Sequence, residues 1–147
     1  MERYRLPRTS DWGREGSDSP LRKTDGANCT VRALMIALDT TYDYAHEILR
    51  VGGRKHGQGF PLTGYLMHRK VVGGCNLREI EFDCWTRGPK MTIRKFIEKH
   101  QKGRFICFRR GHAFAVVDGV IHDGTFNGPN QWIHHAYEVT EPNEGEF

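Results

Sequence analysis

Gly111-His-Ala-Phe-Ala-Val-Val-Asp-Gly-Val-Ile-His-Asp-Gly124 reads as two strands folded about a tight turn, and this hairpin decides the fold class. Asp118-Gly119 is a residue pair that tolerates positive φ, as a two-residue hairpin turn demands. Val117 then faces Val120, and Asp123 is expected opposite Phe114 with His112 as its diagonal neighbour. Opposed residues share a face, so the Asp123 carboxylate and the His112 imidazole should project from one side of the ribbon. A slip of one residue would separate them. His112, Phe114 and Val116 have one parity and Ala113, Ala115 and Val117 the other. Both sets carry apolar residues, so the sequence leaves open which face meets the helices.

Upstream of the hairpin, Arg104-Phe-Ile-Cys-Phe-Arg109 predicts another strand; downstream, a loop from Gly124 to Gln131 leads to a strand over Trp132 to Thr140. Earlier in the chain the period is helical. Val31, Leu34, Met35 and Leu38 repeat at helix spacing, while Ala33, Ile36 and Ala37 make the other faces apolar, which places this helix inside the domain. Asp43 is the expected N-cap of a second helix, Tyr44 to Val51, closed by Gly52-Gly53. Gly52 to Gly59 predicts a basic, glycine-rich, substrate-facing loop. Pro61 to Val72 predicts a third helix stopped by Gly73-Gly74, and Thr92 caps a fourth carrying Ile93, Phe96 and Ile97. Cys75 to Lys90 has no decisive period. Helices first and antiparallel strands second predict an α+β domain over residues 25–147, with the helices packed on one face of a sheet. Residues 1–24, rich in Arg, Ser, Asp, Gly and Pro, predict an extended or disordered basic leader.

A chain of 147 residues with a formal charge of +4 suits one domain and excludes no partner by charge alone. The leader's arginines are scattered, so a solvated tail is one reading and a contact with a virion or host protein the other. No run of like charge and no nucleic-acid signature argues for a DNA or RNA partner. The N-terminus lacks an apolar signal core, and no apolar run reaches the roughly 18 residues of a membrane span. Four cysteines without a CxxC pair then predict reduced thiols in a cytoplasmic protein.

Among those thiols Cys29 is set apart, because it opens the apolar helix in Asp25-Gly-Ala-Asn-Cys-Thr-Val-Arg-Ala-Leu34. A cysteine is nucleophilic as thiolate, and a helix N-terminus together with an imidazole favours that form. Cys29 as nucleophile, His112 as general base and acid, and Asp123 as the residue that orients His112 make a candidate triad. The Cys29 amide needs a second donor to hold an oxyanion, and Lys23, Thr24 and Asn28 are the candidates. Arg32, one turn after Cys29, either raises thiolate character, binds a substrate carboxylate, or pairs structurally with Asp25 or Asp118. His122, His134 and His135 predict no metal site, because adjacent strand residues face opposite sides, and no cofactor motif is present. Trp132 either packs at the core edge, the favoured reading, or lines the cleft.

This order resembles the papain-like cysteine peptidase superfamily in its small, minimal forms, including chains of phage and bacterial type. The Asp25 to Leu34 segment is also similar to the Asp-Gly-Asn-Cys-x-x-Arg-Ala-Leu motif of ovarian-tumour-type deubiquitinases, with Ala27 as an extra residue. Lys23 stands where a papain-like enzyme carries its oxyanion-hole glutamine. The resemblance implies a papain-like fold, a protein or peptide substrate, and a cysteine hydrolase acting on a peptide, isopeptide or other amide bond. It also implies a host cytoplasm or a virion as the location if the chain is phage-encoded. Two alternatives stand beside it: an acyltransferase or transglutaminase using the same triad, and a non-catalytic binding or structural protein on the same scaffold.

Overall fold

The structure, a computed structural model, describes residues 19–81, 91–122 and 131–142. Its elements are α1 Pro20–Thr24, α2 Cys29–Leu38, α3 Tyr42–Val51, α4 Leu62–Leu66, β1 Val71–Val72, β2 Cys75–Ile80, α5 Ile93–Lys99, β3 Arg104–Arg109, β4 His112–Val117, β5 Val120–His122 and β6 His135–Thr140. All strand pairings are antiparallel, in a six-stranded sheet of order β1-β2-β6-β3-β4-β5. The architecture is α+β.

The deciding hairpin has the expected register. Asp118 and Gly119 take φ of 49° and 79°, and Val117 pairs with Val120, Val116 with Ile121 and Ala115 with His122. The Asp118 carboxylate also accepts the Gly103 N–H at 2.9 Å, tying this turn to the start of β3. Asp123 itself lies outside the described residues, as does Cys84.

The tertiary structure settles the face that the hairpin sequence left open. Ala113, Ala115 and Val117 turn toward α2, with Ile106, Phe108, Tyr137 and Val139 beside them. Their small side chains let an apolar helix lie close to the sheet; Val31, Ala33, Leu34 and Ala37 of α2 are each 0 % exposed. Phe114 and Val116 turn the other way and join Phe105, Cys107 and Ile121 under Ile93, Phe96 and Ile97 of α5. Helices therefore cover both faces, not one. The inner residues of β3 and β4 are buried whichever face they point to, which is why these two strands read as continuous apolar runs.

Other boundaries differ from the sequence reading for local reasons. Residues 20–24 of the expected leader form α1, with Ser19 accepting the Arg22 N–H and Pro20 in the first turn. Helix α3 starts at Tyr42 because the Thr41 hydroxyl caps it, accepting the Tyr44 N–H at 3.1 Å. The expected third helix stops at Leu66. Gly73 and Gly74, at φ of 55° and 81°, turn a hairpin between β1 and β2 where the sequence suggested a helix end. The undecided stretch thus begins with β2, whose partner is β6. The last strand starts at His135, and Trp132 is 52 % exposed instead of packed in the core edge.

Candidate functional site

Cys29 is the first residue of α2. Asn28 precedes it but makes no side-chain cap, and the first intrahelical bond is Arg32 N–H to Asn28 C=O at 3.0 Å. The opening amides of α2 thus have no acceptor one turn back, and they place partial positive charge beside the sulfur. The Asn28 side chain is employed elsewhere: its amide donates to the Tyr42 hydroxyl at 3.0 Å, and its oxygen accepts Arg32 Nε at 2.9 Å.

His112 opens β4 next to the two-residue turn Arg110-Gly111, since Arg109 and His112 are a ladder pair and Gly111 takes φ of 71°. By alternation it shares a face with Phe114, and the two rings lie nearly parallel with centroids 6.3 Å apart. As the first residue of β4 it stands at the end of the strand, where its side chain hydrogen-bonds the Cys29 thiol. Burial alone would raise the Cys29 pKa; hydrogen bonds from the His112 side chain and the Ala113 N–H, with the charges of His112 and Arg32, reverse this and lower it. Cys75 and Cys107 are buried without such company, and burial raises both. Among the described cysteines only Cys29 is pulled toward thiolate.

The pair stands in a cleft of about 630 Å³. Phe60, Pro61, Leu62 and Phe108 form apolar walls, and Arg109, Arg110, His134 and His135 add basic and imidazole groups. Gly59 ends the glycine-rich loop at this wall. His134 and His135 both line the cleft although adjacent in sequence, because β6 begins only at His135 and the His134 N–H bonds Phe108 C=O at 2.8 Å.

The oxyanion candidates fall differently. Lys23 is exposed on α1, and the Thr24 hydroxyl lies 2.8 Å from His56 Nε2. None of Lys23, Thr24 and Asn28 is among the residues that line the cleft. Thr30 does line it, and its buried hydroxyl has no hydrogen-bond partner among the described residues. Replacing Thr30 by Val should therefore stabilise the fold by about 1 kcal/mol, read as a raised urea midpoint with an unchanged slope.

No family model, curated protein or solved structure matches the chain.

Behind the thiol runs a buried polar chain that no linear motif announced. Arg54 donates to both Asp25 oxygens at 3.0 and 2.7 Å, and the Gly57 N–H adds a bond at 2.7 Å. Tyr42 donates to Asp25 at 2.6 Å and accepts from Asn28, which in turn holds Arg32. Arg54 also reaches Ala27 C=O at 3.0 Å, so the segment leading to Cys29 is clamped from both sides. Burial pushes the Asp25 carboxyl up, but Arg54, Tyr42 and Gly57 bring it down to about 2. Arg54, expected in a basic, substrate-facing loop, is 4 % exposed. Arg32 pairs with Asn28 rather than with Asp25, which Arg54 occupies.

Asp25, His46 and His56 place ligand atoms within 4.8 Å of one another. A cation there would face the Arg54 guanidinium, already bonded to both carboxylate oxygens, so the donor set suits an ion-pair network better than a metal. His56, carried by the glycine-rich loop, contacts His46 at 3.0 Å within this network.

Arg32 supplies a charge that favours the thiolate. Replacing it with Gln is expected to move the pH profile of Cys29 alkylation by iodoacetamide upward, while Arg32→Lys retains most of the wild-type profile.

Proposed function

We propose that the chain is a cysteine hydrolase of papain-like type that cleaves a peptide, isopeptide or other amide bond. The reading is carried by one arrangement: a thiol at an uncapped helix N-terminus, hydrogen-bonded by an imidazole from the end of a sheet strand, inside a cleft. The helix with the nucleophile at its start, laid across an antiparallel sheet whose strand opens with histidine, also supports the papain-like assignment. Among the described residues, no helix is long and apolar enough to cross a membrane.

In this mechanism the Cys29 thiolate forms a bond to the substrate carbonyl carbon while His112 holds the displaced proton. The Cys29 amide and the α2 dipole face the developing oxyanion. Collapse breaks the C–N bond, and His112 gives its proton to the leaving amine. Water then attacks the thioester with His112 as base, releasing the acid and the thiol. Asp123 keeps its proposed orienting role on the sequence argument.

The test is a thiol-reactive probe and a fluorogenic peptide pool applied to wild type and Cys29→Ala. Labelling of Cys29 well ahead of Cys75, Cys84 and Cys107, with hydrolysis lost in Cys29→Ala, is expected. Equal labelling of all four cysteines together with no hydrolysis would overturn the reading and favour a binding module.

A further inference from the structure

The cleft does not end at the thiol. A second cavity of about 290 Å³ is lined by Arg110, Gln131, Trp132 and His134, and Arg110 and His134 also line the first. The two adjoin through these shared residues as parts of a groove, one part at Cys29 and the other at the exposed Trp132.

Arg110 stands at the junction. It is exposed, and it makes no hydrogen bond or ion pair with another described residue. Gly111 at φ 71° turns the chain directly after it, so the Arg110 Cα lies two residues from that of His112, within about 8 Å. No carboxylate lines either cavity among the described residues. An arginine without a partner among the described residues, between an apolar cleft and an aromatic surface, is suited to a planar anion on an otherwise apolar, extended ligand.

We propose that the groove selects extended peptides carrying an acidic side chain, whose carboxylate is received by Arg110 beside an apolar residue held by Phe60, Leu62 and Phe108. The proposal rests on the peptide-hydrolase reading for its substrate class and adds the charge that the groove prefers. Trp132 covers the peptide beyond the acidic residue.

The experiment uses the full chain with Cys29→Ala, which can bind without turnover, and fluorescein-labelled hexapeptides with amidated ends. Each carries one Leu and, at varied spacing from it, Glu, Gln or Lys; anisotropy reads affinity. For at least one spacing, Glu peptides should bind about tenfold or more tightly than their Gln and Lys counterparts, with the preference weakening in salt. Arg110→Gln should remove the preference and Arg110→Glu should turn it toward Lys. A free C-terminal carboxylate on the Gln peptide, as a separate arm, should not replace the Glu side chain. Equal affinities at every spacing, no binding, a preference that survives Arg110→Glu, or dependence on the chain terminus alone would each overturn the inference. Selective binding without hydrolysis by the wild type would uphold it while removing the hydrolase reading.

Discussion

Replacing His112 by alanine is expected to abolish the fast alkylation of Cys29 and to lower amide hydrolysis by on the order of 10³-fold or more. The imidazole has two roles at one sulfur. It hydrogen-bonds the thiolate and adds positive charge beside it, and in the proposed mechanism it moves the proton that the leaving amine needs. Without it, burial of the thiol is opposed by the Ala113 N–H, Arg32 and the α2 dipole, so the pH profile of alkylation should move upward. The sign is definite: a thiol pKa lowered in the folded protein means reactivity that begins below the ordinary thiol range, and the variant should need more alkaline solution. Iodoacetamide rates across pH, read by mass spectrometry at Cys29, give the profile, and Cys107 in the same sample is the buried control. An unchanged profile in His112→Ala would separate the imidazole from the thiol and end the proposed mechanism.

Removing one partner of the Asp25–Arg54 pair should cost about 3–5 kcal/mol, the largest stability effect expected among the described polar residues. Both side chains are essentially buried, at 0 % and 1 % exposure, and they share two direct hydrogen bonds. Asp25→Ala leaves the Arg54 guanidinium desolvated with only Ala27 C=O as partner. It also frees Tyr42, which links the pair to Asn28 and Arg32. For a chain of this size the melting temperature should fall by on the order of 10 °C. Tyr42→Phe, which keeps the ring and drops one link, should cost about 1 kcal/mol. Acid should act on the same network. The Asp25 pKa lies below its ordinary value of 3.8, at about 2, so its contribution is complete above pH 3.8 and is lost as pH falls through about 2. Calorimetry across acidic pH on wild type and Asp25→Asn checks this: the variant should lack that acid-dependent component.

Legibility in the sequence followed the range of each interaction. The Asp118-Gly119 turn was readable because φ sterics act within two residues, and the register of β4 against β5 came with it as far as His122. Helix α2 was readable because its apolar residues surround it on every side. The glycines at 73 and 74 were ambiguous, since the same φ freedom serves a helix end and a hairpin. Which they serve is decided by β2 pairing with β6, about sixty residues away in sequence. The second helical layer was hidden for a similar reason. Phe114 and Ala115 are both apolar, and α5 covers one face while α2 covers the other.

For the site, the sequence by itself determined the chemical types: a thiol beginning a buried helix, a histidine beginning a strand, and the local turns that aim them. Those follow from helix and hairpin periodicities that neighbouring residues enforce. The tertiary structure alone decided what surrounds them. Arg54 reaches Asp25 across 29 positions, Asn28 is drawn to Tyr42 instead of toward the cleft, and Arg110 is left at the rim between two cavities. Buried charges and lone pairs must find partners wherever the packed chain brings them, and that requirement has no linear period to read.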